Sequence, residues 1–85
     1  MTSNNITIKG MAVRVEIVRA NGEKSAETIV CETCNETAAV NLALDAAVAA
    51  YPGAKEIRWT ECWNTHGTIT VDGRGPVFGT WFIAL

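Results

Sequence analysis

Residues 33–53 read TCNETAAVNLALDAAVAAYPG, and this stretch decides the fold. Thr33 and Glu36 have the spacing of a capping box, in which each side chain satisfies a backbone amide that would otherwise lack a partner. The following residues are mostly Ala and Leu, which are strong helix formers. Pro52-Gly53 then ends the pattern. The stretch predicts a single helix over about residues 34–51.

The two faces of this helix differ less in polarity than those of a helix with one face in solvent. At 100° per residue one face, expected to lie on a sheet, holds Val40, Leu44, Ala47, Val48 and Tyr51. The opposite face, where charged side chains are usual, holds Ala38, Leu42, Asp45, Ala46 and Ala49. The back of the helix is therefore a candidate contact surface.

A β-hairpin is predicted before the helix. Val13–Ile17 alternates strictly between apolar and polar residues, as a half-buried strand does. Asn21-Gly22 favours a tight type I′ turn, and the β-branched residues of Ala26–Cys31 predict the returning strand. Ile6-Thr7-Ile8 adds a short extension before a break at Gly10.

Three further strands are predicted after the helix. Trp59 shares the parity of Ile57 in the first of them, so we expect it in the core. A turn at Thr65-His66-Gly67 and a loop at Asp72–Pro76 separate the strands, which are Lys55–Asn64, Thr68–Val71 and Val77–Leu85.

These elements give the order ββαβββ and an α+β fold. We expect a single antiparallel sheet of four to five strands with one helix packed across it. Eighty-five residues, 1–85, are enough for one domain only. The sequence shows no apolar run approaching the roughly 20 residues of a membrane span and no secretory signal. We therefore expect a cytoplasmic protein without a membrane partner.

Charge argues against nucleic acid as a direct partner. The chain has seven basic and nine acidic residues, a net charge of −2, and neither sign is clustered. Phosphate binding needs several cations on one surface, so a nucleic-acid interface is disfavoured. Dispersed acidic residues disfavour a DNA-mimicking surface in the same way.

The cysteines suggest a metal site by spacing but not by geometry. Cys31 and Cys34 form a C-x-x-C, and Cys62 with His66 forms a C-x-x-x-H, a set that could close a tetrahedral zinc site. Strand parity points Cys31 toward the core and Cys62 away from it. We therefore expect unrelated free thiols and no cofactor, with a small zinc module as an alternative.

A redox function is a further alternative. Cys31 ends a predicted strand and Cys34 begins a predicted helix, where the helix dipole lowers a thiol pKa. This arrangement resembles the way the thioredoxin family presents its thiols. The chain lacks that family's Trp before the first Cys, its Gly-Pro between the two, and its βαβ layout.

Catalysis has no support in the remaining residues. His66 is the single histidine and lies in a predicted turn. No serine occupies a nucleophile elbow, and the acidic residues form no evident pair. We expect the protein not to be an enzyme.

The sequence carries more large apolar side chains than one helix can cover. In the last predicted strand, Phe78 and Phe82 lie on one face, and Val77, Trp81, Ile83 and Leu85 on the other. Either the sheet curls or a loop folds under it, or a second copy or another protein covers the open face. The candidate contact residues are Leu42, Asp45, Ala49, Phe78 and Phe82.

The hairpin–helix–strand pattern resembles small phage-encoded inhibitors of the anti-CRISPR type. The likeness is carried by Val13–Ile17, Asn21-Gly22, the Ala-rich helix Glu36–Tyr51 and the strand Ile57–Trp63, without a diagnostic motif. It implies a non-catalytic module that sterically blocks a bacterial defence complex, such as a CRISPR effector complex, in the host cytoplasm. We also expect the chain to form a homodimer, and the alternative function is that of a homodimeric structural or assembly protein.

Overall fold

A computed structural model of the chain describes residues 4–74, 76 and 78–84. Four strands form one antiparallel sheet in the order β3-β1-β2-β4, and one helix packs across it, which confirms the α+β fold. No helix of the described residues has the length and apolarity that a membrane span requires. The elements are β1 (Asn4–Val18), β2 (Lys24–Cys31), α1 (Glu36–Ala50), β3 (Glu56–Val71) and β4 (Thr80–Phe82).

The predicted hairpin is present, but its turn is of another type. The Gly22 amide donates to the Arg19 carbonyl at 2.9 Å, and the Arg19 amide donates to Glu23 at 2.8 Å. Gly22 has φ +89°, whereas Asn21 does not have a positive φ. A type I′ turn needs positive φ at both central residues, so this is a three-residue loop with a glycine bulge.

β3 is one continuous strand where two were predicted, so the element order is ββαββ. It pairs with β1 from Val18↔Glu56 to Asn4↔Val71, and the predicted turn at Thr65-His66-Gly67 lies inside the ladder. The predicted break at Gly10 is also absent, because β1 runs through it. A long partner strand thus overrides the local turn preference of these residues.

A β-bulge interrupts the pairing of β3 with β1. Trp59 pairs with Val15 and Glu61 with Arg14, which leaves Thr60 as an extra residue. An extra residue reverses the side-chain alternation beyond it. Cys62 consequently joins Ile57 on the helix side of the sheet, where Trp63 was expected.

The sheet curls at the end farther from the helix. Val71 forms a bridge with Ile83, and Ala84 donates to the Thr70 carbonyl at 3.1 Å, so the last segment bonds to β2 and to the end of β3. This closure surrounds a second apolar cluster, away from the helix. Its buried members are Ile8, Ala12, Val30 and Val71, with Ile6, Ile69, Trp81 and Ile83 partly buried. Curling of the sheet, one of the two expected alternatives, therefore covers much of this face.

The helix begins two residues later than predicted. Asn35 is the N-cap, and its side-chain oxygen accepts from the Ala38 amide at 2.9 Å. The Thr33 hydroxyl accepts from the Asn35 amide at 3.2 Å, so the predicted capping box does not form. Asparagine is among the best N-cap residues, and it takes this position directly.

The helix face on the sheet is rotated by roughly 80° from the predicted one, counting 100° per residue. Leu42 and Leu44 flank the buried stripe and are half-buried, and Val48 is 54% exposed. Small side chains let the helix approach the sheet closely, while the strands supply the bulk. The stripe consists of Ala39, Val40, Ala43, Ala46 and Ala47. Ala46 was expected on the exposed back and is fully buried.

The end of the chain also differs from expectation. β4 covers Thr80–Phe82, shorter than the predicted strand, and Val77 and Leu85 lie outside the described residues. Phe82 pairs with Ile29 on the helix side of the sheet, and both are fully buried. Phe82 is thus a core residue and does not lie on an open face.

We expect Gly10→Ala to destabilise the protein by about 3 kcal/mol or more, at the upper end of the cost of overpacking. A Cβ at this position would lie 2.0 Å from the Cys31 carbonyl oxygen, a backbone atom that cannot move independently. Urea denaturation measures the effect. Gly53→Ala is the control, since its Cβ would meet nothing within 4 Å. Equal stability of the two variants would contradict the close approach of β1 and β2.

Candidate functional site

The residues predicted to bind a partner do not form one exposed surface. Asp45, Ala49 and Phe78 are exposed, and Phe78 is 60% accessible. Leu42 packs against the core cluster, and Phe82 is completely buried. The structure brings Ala49 and Phe82 together in a depression of about 250 Å³ that Ala50 and Arg74 also line.

Arg74 occupies this depression and already has its partners. Its guanidinium donates to Asp72 at 2.8 Å and to Glu27 at 3.2 Å, and it lies 4.0 Å above the Phe82 ring. The Tyr51 hydroxyl donates to Glu27 and accepts from Arg74. With two carboxylates around one cation, the group fastens the segment after β3 to β2 and to the end of the helix. We refer to these residues, Glu27, Tyr51, Asp72, Arg74 and Phe82, as the arginine clasp.

The ionisation of the clasp favours the paired state. Burial raises the pKa of Asp72, but hydrogen bonds from Arg74 and its charge lower it more, so the net pKa is below the ordinary value. Burial lowers the pKa of Arg74, and the bonds to Asp72 and Tyr51 together with the charge of Glu27 raise it by more. Both groups are therefore charged near neutral pH, and the clasp is a structural element with no free cation to offer a ligand.

The surroundings of Cys31 and Cys62 favour protonated thiols. Burial, and secondarily the neighbouring Cys62, raise the pKa of Cys31 to about 12, and its thiol donates to the Ala39 carbonyl at 3.4 Å. Burial and then the charge of Glu36 raise the pKa of Cys62. Protonated thiols are poor nucleophiles and metal ligands. Cys34 is exposed.

Cys62 and His66 do not lie where the sequence predicted. The bulge places Cys62 on the helix side with Cys31, so the prediction that their side chains diverge was wrong. His66 lies exposed within β3, opposite Lys9, and is not in a turn. Within residues 4–74, 76 and 78–84, no three His, Cys, Asp or Glu side chains form a group that could hold a metal ion.

The outer edge of β3 is a long, accessible strand edge of the described fold. β1 is the strand neighbour of β3, and on the other side the described residues place no strand from Glu56 to Ile69. Such an edge presents unpaired amide and carbonyl groups, which can pair with another strand. We call this side the β3 edge.

Two tryptophans flank the β3 edge. Trp59, opposite Val15, lies on the helix side and is 44% exposed; Trp63, opposite Ala12, lies on the other side and is 42% exposed. The prediction that Trp59 is a core residue was therefore wrong. Its parity was right, but β3 lies at the border of the sheet, where the helix covers only part of the ring.

A groove lies between Trp59 and the beginning of the helix. Its volume is about 300 Å³, and the helix residues that line it are Glu36, Thr37, Val40 and Asn41. Val40 and the indole ring are apolar, whereas the other three side chains are polar. The groove borders the β3 edge on the helix side, because Trp59 belongs to both.

Comparisons of the chain with protein family models, with curated proteins and with solved structures find no match.

Asp72→Asn should lower the free energy of unfolding by about 1–3 kcal/mol at pH 7, the range for losing a charge-assisted hydrogen bond of a buried group. The pKa of Asp72 is depressed in the folded state, so its contribution is present above the ordinary carboxyl pKa of 3.8 and is lost as the pH falls through the lower folded value. The stability gap between the two proteins should therefore narrow below about pH 4. Urea denaturation across pH measures this gap.

Asp45→Asn is the matched control, because Asp45 is exposed on the helix outside the clasp. It should stay close to the parent protein at neutral pH. A gap between Asp72→Asn and the parent that is small at pH 7 and grows on acidification would contradict the sign of the coupling.

Proposed function

We propose that the protein is a non-catalytic protein-binding module that recognises its partner by strand addition at the β3 edge. The observation that carries this proposal is a long unpaired strand edge flanked by two half-exposed tryptophans. In strand addition, backbone hydrogen bonds supply affinity, and pockets for alternate side chains supply specificity. The β3 edge offers both, since the groove lies beside its backbone.

The composition of the β3 edge suits selective pairing. A bulge at Thr60 and the charged residues Arg58 and Glu61 oppose indiscriminate edge-to-edge aggregation. Arg58 is held by Glu16 at 2.8 Å, on the side away from the helix. The two tryptophans favour binding of a partner, because Trp is among the side chains that contribute most to binding energy at interfaces.

The biological role we propose is steric inhibition of a larger bacterial complex, in the cytoplasm of a host cell. A small domain that adds its edge to a strand of a larger protein occupies the position of whatever normally lies there. The resemblance in size and layout to anti-CRISPR inhibitors supports this role, with a CRISPR effector complex as one such target. Inhibition of this kind requires binding and no turnover.

Trp59→Ala should cost about 1–2 kcal/mol of stability, well below the roughly 3–5 kcal/mol expected for a buried large aromatic residue. The reason is that nearly half of the ring is already exposed. Thermal or urea denaturation measures the difference. A loss of 4 kcal/mol or more, about what a fully buried ring costs, would show that Trp59 is a stability residue and not a free recognition residue.

The binding test uses a displayed library of short random peptides selected against the folded protein. Hydrogen exchange of the β3 amides is then measured with and without each selected peptide. We expect slower exchange at the β3 edge, and loss of binding in the Trp59→Ala/Trp63→Ala variant. Val48→Ala is the control, because Val48 is an exposed apolar residue on the helix.

Two results would overturn the proposal. In one, no selected peptide slows exchange in β3. In the other, sedimentation shows a stable dimer whose β3 amides are protected without any peptide. That second result would assign the β3 edge to a second copy of the chain, the homodimeric alternative.

A further inference from the structure

Resting on the proposed function, we infer that the partner strand carries an arginine whose side chain lies in the groove between Trp59 and Glu36. The backbone of the β3 edge does not select a side chain of the partner, whereas the groove beside it does. It follows from the position of the groove, the charge of its lining residues and the lack of a partner for that charge.

The groove lies next to the position of an added strand. A strand added to β3 directs every second side chain toward the helix side of the sheet. The first two turns of the helix stand over this side, with Glu36 and Val40 facing Trp59 across the groove. A side chain of the added strand next to Trp59 therefore enters the groove.

Charge then selects the side chain. Glu36 is the one charged residue lining the groove, and its carboxylate has no hydrogen bond or ion pair within the part of the chain that the structure describes. The negative charge of Glu36 is felt by the neighbouring Cys62, whose raised pKa is partly due to it. An acidic side chain would be repelled here, and an aliphatic one would remove water from Glu36 without replacing its hydrogen bonds.

A long cationic side chain satisfies both parts of the lining. Its methylene groups pack on Val40, and its charged end reaches Glu36 while lying against the indole ring, which attracts cations. Arginine fits better than lysine because its planar guanidinium stacks on aromatic rings and pairs with a carboxylate through two hydrogen bonds. Thr37 and Asn41 add oxygen acceptors at the rim for the remaining N–H groups.

None of the four arginines of the chain pairs with Glu36. Arg14 lies on the side of the sheet away from the helix, opposite Glu61, and Arg19 lies over the Tyr51 ring. Arg58 follows Ile57 on β3 but points to the other side of the sheet, where it pairs with Glu16. Arg74 is held in the clasp by Asp72 and Glu27. Glu36 is exposed to solvent, and a cation that pairs with it in the complex therefore comes from the partner.

The test begins with peptides that slow hydrogen exchange in β3. Their aligned sequences should show arginine enriched at one position. Replacing that arginine by norleucine should weaken binding about five- to tenfold, the combined effect of an exposed ion pair and a cation–π contact. Replacing it by lysine should weaken binding less.

A double-mutant cycle assigns the contact to Glu36. Glu36→Gln should weaken binding of the arginine peptide about three- to fivefold and leave binding of the norleucine peptide unchanged. Glu56→Gln is the matched control, because Glu56 is an exposed acid of β3 on the opposite face. Circular dichroism checks that the helix persists, since Glu36 also stabilises its first turn.

The outcomes separate this inference from the proposed function. If peptides protect the β3 amides but show no preference for arginine or lysine, and Glu36→Gln binds them as the parent does, the inference is wrong and strand addition stands. If no peptide protects β3, strand addition fails, and the inference fails with it. Enrichment of acidic residues at the same position in a selection against Glu36→Lys would strengthen the inference.

Discussion

The structure depends on β1, which pairs with a strand on both of its edges. Its backbone bonds to β2 on one side and to β3 on the other, and it passes so close to the end of β2 at Gly10 that no side chain fits there. The length of β1 sets the length of β3. Because β1 already holds the inner side of β3, the outer side of β3 is left open. The helix can cover only part of so long a pair, and the remainder curls to bury its own apolar face.

Local sequence predicted the elements better than their arrangement. The alternation of Val13–Ile17, the Asn-Gly pair and the stop at Pro52-Gly53 identified the hairpin and the single helix, because those signals act within a few residues. The bulge at Thr60 has no local signature, and it reverses the faces of Cys62 and Trp63. The continuity of β3 through Gly67 depends on the partner strand and is equally invisible in a local pattern.

The candidate site was harder to predict for the same reason. An apolar surplus is visible in composition, but where it lies depends on how the sheet closes. Phe82 is buried on the helix side of the sheet and Trp81 is partly covered by the closure, and neither had a distinguishing mark in the sequence. Trp59 had the parity of a core residue, and only the position of β3 at the border of the sheet leaves it half-exposed. The rotation of the helix has no local signature either, because close approach to the sheet decides it: alanines, and not leucines, face the sheet.

The bulge has a consequence for the kind of strand that β3 accepts. Residues before Thr60 and residues after it present their backbone groups out of phase with one another, since one extra residue shifts the alternation. A regular strand can match the first segment or the second, and it spans both only if it contains an extra residue of its own. The bulge therefore limits the length of a regular strand that can pair with β3. Beside Trp59 it suits a short insertion of a few residues, while a long uninterrupted strand, such as one that nucleates a fibril, meets a mismatch midway.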